Sequence, residues 1–445
     1  DAQESRGLGD VYKRQLTMCL VVFGLLALTL SLGIHIGLSL FIVGFCGMAL
    51  FSPLPPGGNL ASSVWSTVNK WELVALPLFI LMGEILFHSG ISEKLFKGLV
   101  PWLYRLPGGL LLMNIVACTF FAAVSGSSAA TTATVGRITL AEFDKLGYDE
   151  SLAIGSLAGA GTLGFLIPPS LIMIVYAILA EVSIGKMFIA GILPGFLLAS
   201  IYIIYIIYRG LRDPSIAPRM QESYSWAERF TALKDLLPVI ILILMVLGSI
   251  YAGLATPTEA AALGVLGAAA FAFINRRLNL SGLFTCLLAA VKTTSMICLI
   301  VMGASYLSRV MGFLGIPAAL TQAIVDLELS PYVLMLVLGL VYIVLGCILD
   351  GFSIVVMTLP IALPMAVASG FDPIWFGVYL ILMVELSQIT PPVGFNLFVI
   401  QGLTDKSIGE IAIYALPFFF LMVLTTVIIT VFPEIVLYLP RLMSG

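Results

Sequence analysis

Charged residues are scarce in this chain: only 10% of its 445 residues are Asp, Glu, Lys or Arg, whereas a typical soluble domain has about 25%. Apolar residues make up 60% of the chain. This small number of polar side chains cannot cover the surface of a water-soluble globule of this length. The composition therefore excludes a soluble fold and indicates that the protein lies in a lipid bilayer.

The chain also lacks the patterns typical of several other protein classes. Its 21 Lys and Arg residues are scattered and outnumbered by 24 acids, which excludes the basic stripe of a nucleic-acid binder. The six cysteines lie singly in apolar runs, so neither a disulfide framework nor a zinc site is indicated. No G-x-x-x-x-G-K-[ST] loop occurs, which argues against an ATP-driven pump.

Apolar runs long enough to cross about 30 Å of hydrocarbon recur along the chain, which predicts an all-α polytopic membrane protein. Two of them, 109–141 and 335–367, are interrupted at their centres. The interruptions are Ser125-Gly126-Ser127-Ser128 and Asp350-Gly351-Phe352-Ser353. Each arm of about 15 residues reaches roughly 22 Å, short of the far surface, so each run predicts a re-entrant hairpin.

Two further runs, 150–181 and 374–401, contain the pairs Pro168-Pro169 and Pro391-Pro392. A double proline removes two N–H donors and cannot lie in a continuous helix, so these runs predict two broken helices.

An internal repeat relates the interruptions. Gly90 pairs with Gly315 at an offset of 225 residues, and Pro168 pairs with Pro391 at an offset of 223. The first copy carries five basic residues between positions 90 and 149, whereas the second has none from 310 to 405. By the positive-inside rule the copies face opposite ways, which predicts the inverted repeats of a secondary transporter with a site at the midplane.

Backbone and hydroxyl oxygens at the first tip, with Asp350 at the second, favour Na⁺ over a transition metal because no histidine is present there. Half-helix N-termini at the same depth favour a carboxylate. The candidate hydrogen-bonding partners of that carboxylate are Ser128, Thr131, Ser353 and Asn396. The alternative for the small residues at the tips is that they only let helices pack closely.

Acids inside apolar runs are functional candidates because they are costly in a membrane. Asp350 is interpreted as a cation ligand rather than a turn-forming residue. Glu84 and Glu385 stay open between a cation, a proton and a structural hydrogen bond, whereas Glu259 is predicted to cap a helix. Arg137 is predicted to snorkel to the cytoplasmic interface, with pairing to a carboxylate as the alternative.

The ordered motifs of the chain resemble the large membrane subunit of the tripartite ATP-independent periplasmic (TRAP) transporters. The resemblance covers nearly the whole chain from about residue 16. The motifs are Ser125-Gly-Ser-Ser-Ala-Ala-Thr-Thr-Ala-Thr-Val-Gly136, Gly161-Thr-Leu-Gly164, Ile167-Pro-Pro-Ser170, Ala190-Gly-Ile-Leu-Pro-Gly195, Thr256-Pro-Thr-Glu-Ala-Ala261 and Ile389-Thr-Pro-Pro-Val-Gly394.

The resemblance implies an elevator-type, Na⁺-coupled symporter for organic acids in the bacterial inner membrane, which is not an enzyme. It implies two partners, a periplasmic substrate-binding protein and a small membrane subunit expected on a separate chain. It also implies two sodium sites. Their ligands would lie around Ser125, Gly126, Ser127, Gly164 and Ile167, and around Asp350, Gly351, Thr390 and Gly394.

On this interpretation the hairpins and broken helices form the moving part. Residues 1–15 are set aside as a non-native or disordered N-terminus, 73–186 and 285–405 carry the transport elements of the two repeats, and the scaffold comprises 16–72, 187–284 and 406–445. Three alternatives stay open: a stand-alone Na⁺/dicarboxylate symporter without a binding protein, an intramembrane enzyme and a channel. The enzyme is disfavoured because no nucleophile and base pair at one depth, and the channel because it would not need duplicated hairpins.

Overall fold

The computed structural model describes residues 2–218, 224–326, 330–392 and 394–443, and within these ranges every regular element is helical. Seven helices of the described part are long and apolar enough to cross a membrane, and one bent pair adds an eighth span. The prediction of an all-α multi-pass membrane protein is therefore confirmed.

The long helices lie mostly at the two ends and in the middle of the chain. Six of the seven spanning helices are Trp71–His88, Ile184–Arg212, Trp226–Tyr251, Pro257–Ile274, Leu280–Phe313 and Ile408–Val431, and the seventh is Gly351–Ala368. Two further apolar helices, Ala2–Ser31 and Ile36–Phe51, precede them. Shorter helices connect or flank them: Pro56–Val68, Ile91–Leu103, Ile316–Asp326 and Glu434–Leu442, with a 3-10 turn at Pro214–Ile216. The first helix includes residues 2–15, which belong to the segment interpreted from the sequence as a non-native or disordered N-terminus.

Four pairs of helices carry the interruptions. The first hairpin consists of Leu111–Ser125 and Ser128–Leu146, and the second of Pro331–Gly346 and Gly351–Ala368. The first broken helix consists of Glu150–Leu166 and Leu171–Ala180, which are bent by 41°. The second consists of Pro373–Gln388 and Phe395–Gln401.

The ends of these half-helices follow from local chemistry. Gly126 has φ +61°, a left-handed conformation that stops the first arm, and the Ser127 side chain then accepts from the Ala130 N–H to cap the second arm. Asp350 caps the second hairpin in the same way. In the broken helices, Pro168-Pro169 and Pro391-Pro392 lie between the halves, where their missing N–H groups would interrupt a helix.

The order of elements recurs in the second half of the chain. A short helix beginning at Ile91 precedes the first hairpin and broken helix, and the long helix Ile184–Arg212 follows them. A short helix beginning at Ile316 precedes the second hairpin and broken helix, and Ile408–Val431 follows.

The two broken helices run antiparallel. Near one surface, Lys406, just after the second broken helix, forms an ion pair of 2.9 Å with Glu150 at the start of the first. Near the other, the Tyr176 hydroxyl donates to the carbonyl of Pro373, so the end of the first broken helix lies beside the start of the second. Each break therefore faces the middle of the other helix.

The remaining helices support these elements by close packing at small residues. A Cβ added at Gly37 or Gly303 would lie within 3.1 Å of the backbone of the facing helix, because Ile36–Phe51 and Leu280–Phe313 pack side by side. Trp71–His88 reaches the first hairpin, where a Cβ at Gly83 would lie 3.2 Å from the Ser125 carbonyl oxygen. A helix that is not part of either broken helix therefore also contacts the tip of the first hairpin.

Candidate functional site

The tip of the first hairpin is a compact set of oxygen atoms. The Ser125 hydroxyl lies 2.9 Å from the hydroxyl of Thr131, and the Thr131 hydroxyl is 2.7 Å from the Ser127 carbonyl. Both side chains are buried. Hydroxyl and carbonyl oxygens converging at a helix break are the hard ligands that a Na⁺ ion takes.

The first break closes against this tip. A Cβ added at Gly164 would lie 2.7 Å from the carbonyl oxygen of Ser127, and the Leu171 N–H donates to the Gly126 carbonyl at 3.2 Å. Four residues predicted for the first sodium site, at positions 125, 126, 127 and 164, are therefore adjacent. Ile167, the fifth, follows the first half-helix with extended backbone, φ −84° and ψ 122°, so its carbonyl leaves the helical pattern.

Asp350 is committed to its own hairpin. One of its carboxylate oxygens accepts from the backbone N–H groups of Phe352 and Ser353 at 3.1 and 3.4 Å, and the other from the Ser353 hydroxyl. This is the bonding of a helix cap, so the turn-forming interpretation of Asp350 describes a real role. A carboxylate has about four lone-pair directions, which leaves one for a cation.

The second tip and the second break also meet. A Cβ at Gly351 would lie 3.3 Å from the Gln388 amide nitrogen, and the Cys347 thiol is 3.2 Å from the Pro391 carbonyl. Gly394 has φ +31° and lies against the Thr390 carbonyl oxygen, which a Cβ would approach to 2.9 Å. The Thr390 hydroxyl donates to the Leu386 carbonyl near the end of the preceding half-helix, and Val393 lies outside the described residues.

Two contacts cross between the repeats. Asn396 of the second broken helix donates through Nδ2 to the Ser128 hydroxyl at 2.7 Å, and that hydroxyl donates to the Gly161 carbonyl at 3.1 Å. Phe165 of the first broken helix packs edge to face on Phe352 of the second hairpin, with ring centroids 6.0 Å apart. The two half-sites are thus parts of one connected region.

The four residues predicted to bind a carboxylate divide into two kinds. Ser128 and Asn396 bond to each other across the repeats, whereas Thr131 and Ser353 bond within their own hairpins. All four are buried. In this conformation the structure therefore brings together one pair of the four.

Several buried oxygen atoms around the breaks have no hydrogen-bond partner. They are the hydroxyls of Thr132 and Thr134, Oδ1 of Asn396 and both carboxylate oxygens of Glu385. Buried oxygens are normally satisfied in proteins, so a cluster of unpaired ones indicates a place where a ligand, an ion or a water molecule binds. Thr132 and Thr134 lie on the arm that returns from the first tip, where the sequence predicts hydroxyl oxygens beside the cation site.

Glu385 is the most unusual of these residues. Its side chain is fully buried beside the first break, close to three donors, the Thr162 hydroxyl and the backbone N–H groups of Phe165 and Leu166, although neither carboxylate oxygen forms a hydrogen bond of normal geometry. A cation, a proton and a structural hydrogen bond therefore all stay open for Glu385. By contrast, Glu259 caps its helix through a reciprocal bond pair with Thr256, so that prediction is confirmed.

No group of three His, Cys, Asp or Glu side chains that could hold a metal ion occurs in the described residues. The oxygen atoms at the tips belong instead to hydroxyl, amide and carbonyl groups and to a single carboxylate. This donor chemistry suits an alkali cation and a hydrogen-bonded anion rather than a transition metal.

The family that matches residues 22–435 is the tripartite ATP-independent periplasmic transporter, DctM component. The chain belongs to this family. It is 36% identical to the C4-dicarboxylate TRAP transporter large permease protein DctM of Pseudomonas aeruginosa, over 91% of this chain and 94% of that one. It is 30% identical to the sialic acid TRAP transporter large permease protein SiaM of Vibrio cholerae, over 95% and 98%. These relatives are transport permeases and not enzymes.

A solved structure shares the fold at much lower sequence identity. The YdaH transporter of Alcanivorax borkumensis superposes with a TM-score of 0.61 at 15% identity, over 84% of this chain and 87% of that one. At that identity the likeness concerns the fold alone. It supports a multi-pass transporter architecture for this TRAP large permease.

Proposed function

We propose that this TRAP permease carries out Na⁺-coupled uptake of an organic acid across the bacterial inner membrane by an elevator mechanism. It works with a periplasmic substrate-binding protein and a small membrane subunit. The name of its family, tripartite and periplasmic, supports those two partners, and a relative named for C4-dicarboxylates supports an acid as the solute.

The observation that carries this proposal is the antiparallel pair of broken helices, the second of which is joined to the first hairpin by the bond between Asn396 and Ser128. Antiparallel halves with the same order of elements support an inverted repeat, and inverted repeats allow one site to open alternately to either side. The hairpins and broken helices would move together, because each tip packs against a break: Gly164 lies against Ser127 at the first, and the Cys347 thiol lies against the Pro391 carbonyl at the second.

The distribution of basic residues supports one orientation. The ion pair of Lys406 with Glu150 brings the end of the second broken helix to the side that carries Lys145. Arg277 pairs with Glu93 near the basic start of the Leu280–Phe313 helix. By the positive-inside rule this side is cytoplasmic, so Lys70 and Arg309, at the opposite helix ends, face the periplasm.

The chemistry follows from the half-helices. Carbonyl and hydroxyl oxygens around Ser125–Ser127 and around Asp350 and Thr390 would coordinate Na⁺. The N-termini of Ser128–Leu146, Leu171–Ala180 and Gly351–Ala368 all lie at the tips or breaks, where their N–H groups and positive dipole ends would attract a carboxylate. Each net positive charge that moves inward is worth about 2.3 kcal/mol per 100 mV.

The test is solute uptake into proteoliposomes that contain this chain and its small membrane subunit. An inward Na⁺ gradient, a K⁺ gradient of equal size and no gradient are compared, each with and without the binding protein. We expect accumulation only with both Na⁺ and the binding protein. Equal accumulation without the binding protein would identify a stand-alone symporter instead, and accumulation that ignores Na⁺ would contradict the coupling.

A further inference from the structure

A cavity of about 450 Å³ lies away from the tips and breaks, at the opposite surface from Glu150 and Lys406. Four elements surround it: Pro56–Val68, the end of the first broken helix, the end of Leu280–Phe313 and the second arm of the second hairpin. Its volume is in the range of about 300–1,000 Å³ that small-molecule sites have in proteins. It is therefore bordered by one helix of the proposed scaffold, Pro56–Val68, and by elements of both proposed transport repeats.

The lining of this cavity is cationic and rich in hydroxyl groups. Arg309 donates through its two terminal nitrogens to the hydroxyls of Ser62 and Ser66, at 3.3 and 3.2 Å. These bonds hold the planar guanidinium in place and leave its other N–H groups free, which is the arrangement that recognises a carboxylate. Ser305 and Ser308 add hydroxyls from the Arg309 helix.

Lys70 supplies a second positive charge. Its ammonium group lies 3.4 Å from the Glu181 carboxylate and donates to the Ile178 carbonyl at 3.3 Å. The Glu181 side chain is 80% exposed, whereas that of Lys70 is 35% exposed. Glu181 is therefore a weak partner at the rim, because an exposed ion pair contributes little.

An unsatisfied group inside the cavity points to a ligand. Ser63 is 1% exposed, lines the cavity, and its hydroxyl has no hydrogen-bond partner. A buried hydroxyl of this kind is normally satisfied by protein or by a bound molecule. Ser63, Arg309 and Lys70 thus offer one neutral and two cationic groups to the same space.

We propose that this cavity is a periplasmic entry site, where the carboxylate of the incoming solute binds Arg309 and Lys70 before the second hairpin admits it. The proposal rests on the proposed uptake function and its orientation. Val356 lines the cavity on the second hairpin, six residues after Asp350, which at 1.5 Å per residue is roughly 9 Å along the helix. The entry site therefore leads along this arm to the second tip.

The experiment measures the electrostatic preference of the cavity directly, without transport. Ser305→Cys is introduced into the full chain, and its labelling by an anionic and a cationic methanethiosulfonate reagent is compared, with background from the six native free cysteines subtracted. Arg309→Gln and Lys70→Gln are each combined with Ser305→Cys. Arg309→Lys retains the charge, and Lys186→Gln removes a basic residue that does not line the cavity.

We expect the anionic-to-cationic rate ratio to fall about five-fold in Arg309→Gln and in Lys70→Gln, since loss of one nearby charge shifts both rates in opposite directions. The ratio stays near its original value in Arg309→Lys and Lys186→Gln. Succinate, but not choline chloride at equal ionic strength, slows labelling in the parent protein and not in Arg309→Gln.

An unchanged rate ratio in both glutamine variants, or equal protection by choline chloride, would overturn the proposal. The proposal would also be overturned if the protein were labelled in nanodiscs and labelling at Ser305→Cys were slowed only when phosphatidylglycerol replaces phosphatidylcholine. That result would assign the cavity to a lipid phosphate. None of these readouts needs a Na⁺ gradient or the binding protein. Failure of the entry site is therefore distinguishable from failure of coupled uptake.

Discussion

Asn396 and Ser128 are 268 positions apart in the chain, and the Asn396 amide nitrogen lies 2.7 Å from the Ser128 hydroxyl. This bond joins the second broken helix to the first hairpin, between the first turns of the helices Phe395–Gln401 and Ser128–Leu146. The amide oxygen of Asn396 has no partner, so one end of the side chain holds the two repeats together and the other end is free for a ligand.

The Ser128–Asn396 bond is expected to be energetically coupled. A double-mutant cycle of Ser128→Ala and Asn396→Ala should give about 1 kcal/mol of interaction free energy, because the bond is buried. Chemical unfolding in detergent micelles measures it. Ser128→Ala combined with Asn279→Ala, which removes the cap of a different helix, serves as the additive control. Additivity in both pairs would show that the bond does not stabilise the fold.

Gly164 is expected to be intolerant of a side chain. Its Cβ would lie 2.7 Å from the backbone of Ser127 and Ser128, and backbone atoms at a capped turn cannot yield without moving the first hairpin. We expect Gly164→Ala to raise the Na⁺ concentration for half-maximal uptake at least ten-fold or to abolish uptake.

Gly312→Ala is the matched control for Gly164→Ala, because it is a helical glycine with nothing within 4 Å of the added carbon. It is expected to leave Na⁺ dependence unchanged and to stabilise its helix by up to about 1 kcal/mol. Normal Na⁺ dependence in Gly164→Ala would exclude the first tip and first break as a cation site.

Asp350 has two separable roles, and two variants distinguish them. Asn is as good a helix cap as Asp, so Asp350→Asn keeps the cap and removes the charge, whereas Asp350→Ala removes both at a further cost of about 1 kcal/mol of stability. If Asp350 binds Na⁺, both variants raise the Na⁺ concentration needed for half-maximal uptake. Wild-type Na⁺ dependence in Asp350→Asn, together with reduced stability in Asp350→Ala, would leave capping as its role.

The sequence predicted the breaks better than the bonds across them. Helix interruption is local chemistry: Gly126, Asp350 and the two proline pairs each act within a few residues, so their effect is readable from the chain. Which hydroxyl faces which partner depends on the rotation of each helix after folding. Thr131 therefore bonds Ser125 in its own hairpin, while Ser128 reaches Asn396 in the other repeat.

The cavity at Arg309 was not predictable from sequence for a related reason. Its groups come from four elements that are distant in the chain, and serines on an exposed helix have no pattern that indicates a shared cavity. The long stretch from 310 to 405, which has no Lys or Arg, indicated the orientation but not the importance of Arg309 just before it.

The antiparallel arrangement of the broken helices is testable by cross-linking. Glu150 and Lys406 form an ion pair of 2.9 Å through the ends of their side chains, so a short bifunctional maleimide should cross-link Glu150→Cys with Lys406→Cys, detected as a mobility shift after cleavage between the repeats. Glu150→Cys with Asp372→Cys is the control, because these positions begin the two broken helices and would be adjacent only if the helices were parallel. Cross-linking of the control pair alone would contradict the inverted arrangement.

Glu385 is expected to be electrically neutralised in the folded protein. A carboxylate that is fully buried with both oxygens unpaired is expensive as a bare anion, so it holds either a proton or a cation. Glu385→Gln imitates the protonated acid in shape and charge, and we expect its melting temperature to stay within about 3 °C of the parent. Glu385→Ala opens a cavity and should lose about 2 kcal/mol.

Uptake separates the two neutralising species at Glu385. If a proton neutralises it and is not exchanged, Glu385→Gln transports with normal Na⁺ dependence. If a transported cation does so, the number of charges moved per solute falls in Glu385→Gln, which voltage-clamped proteoliposomes measure from the reversal potential. A loss of stability in Glu385→Gln as large as that in Glu385→Ala would contradict neutralisation altogether, because it would mean that the ionised carboxylate itself stabilises the fold.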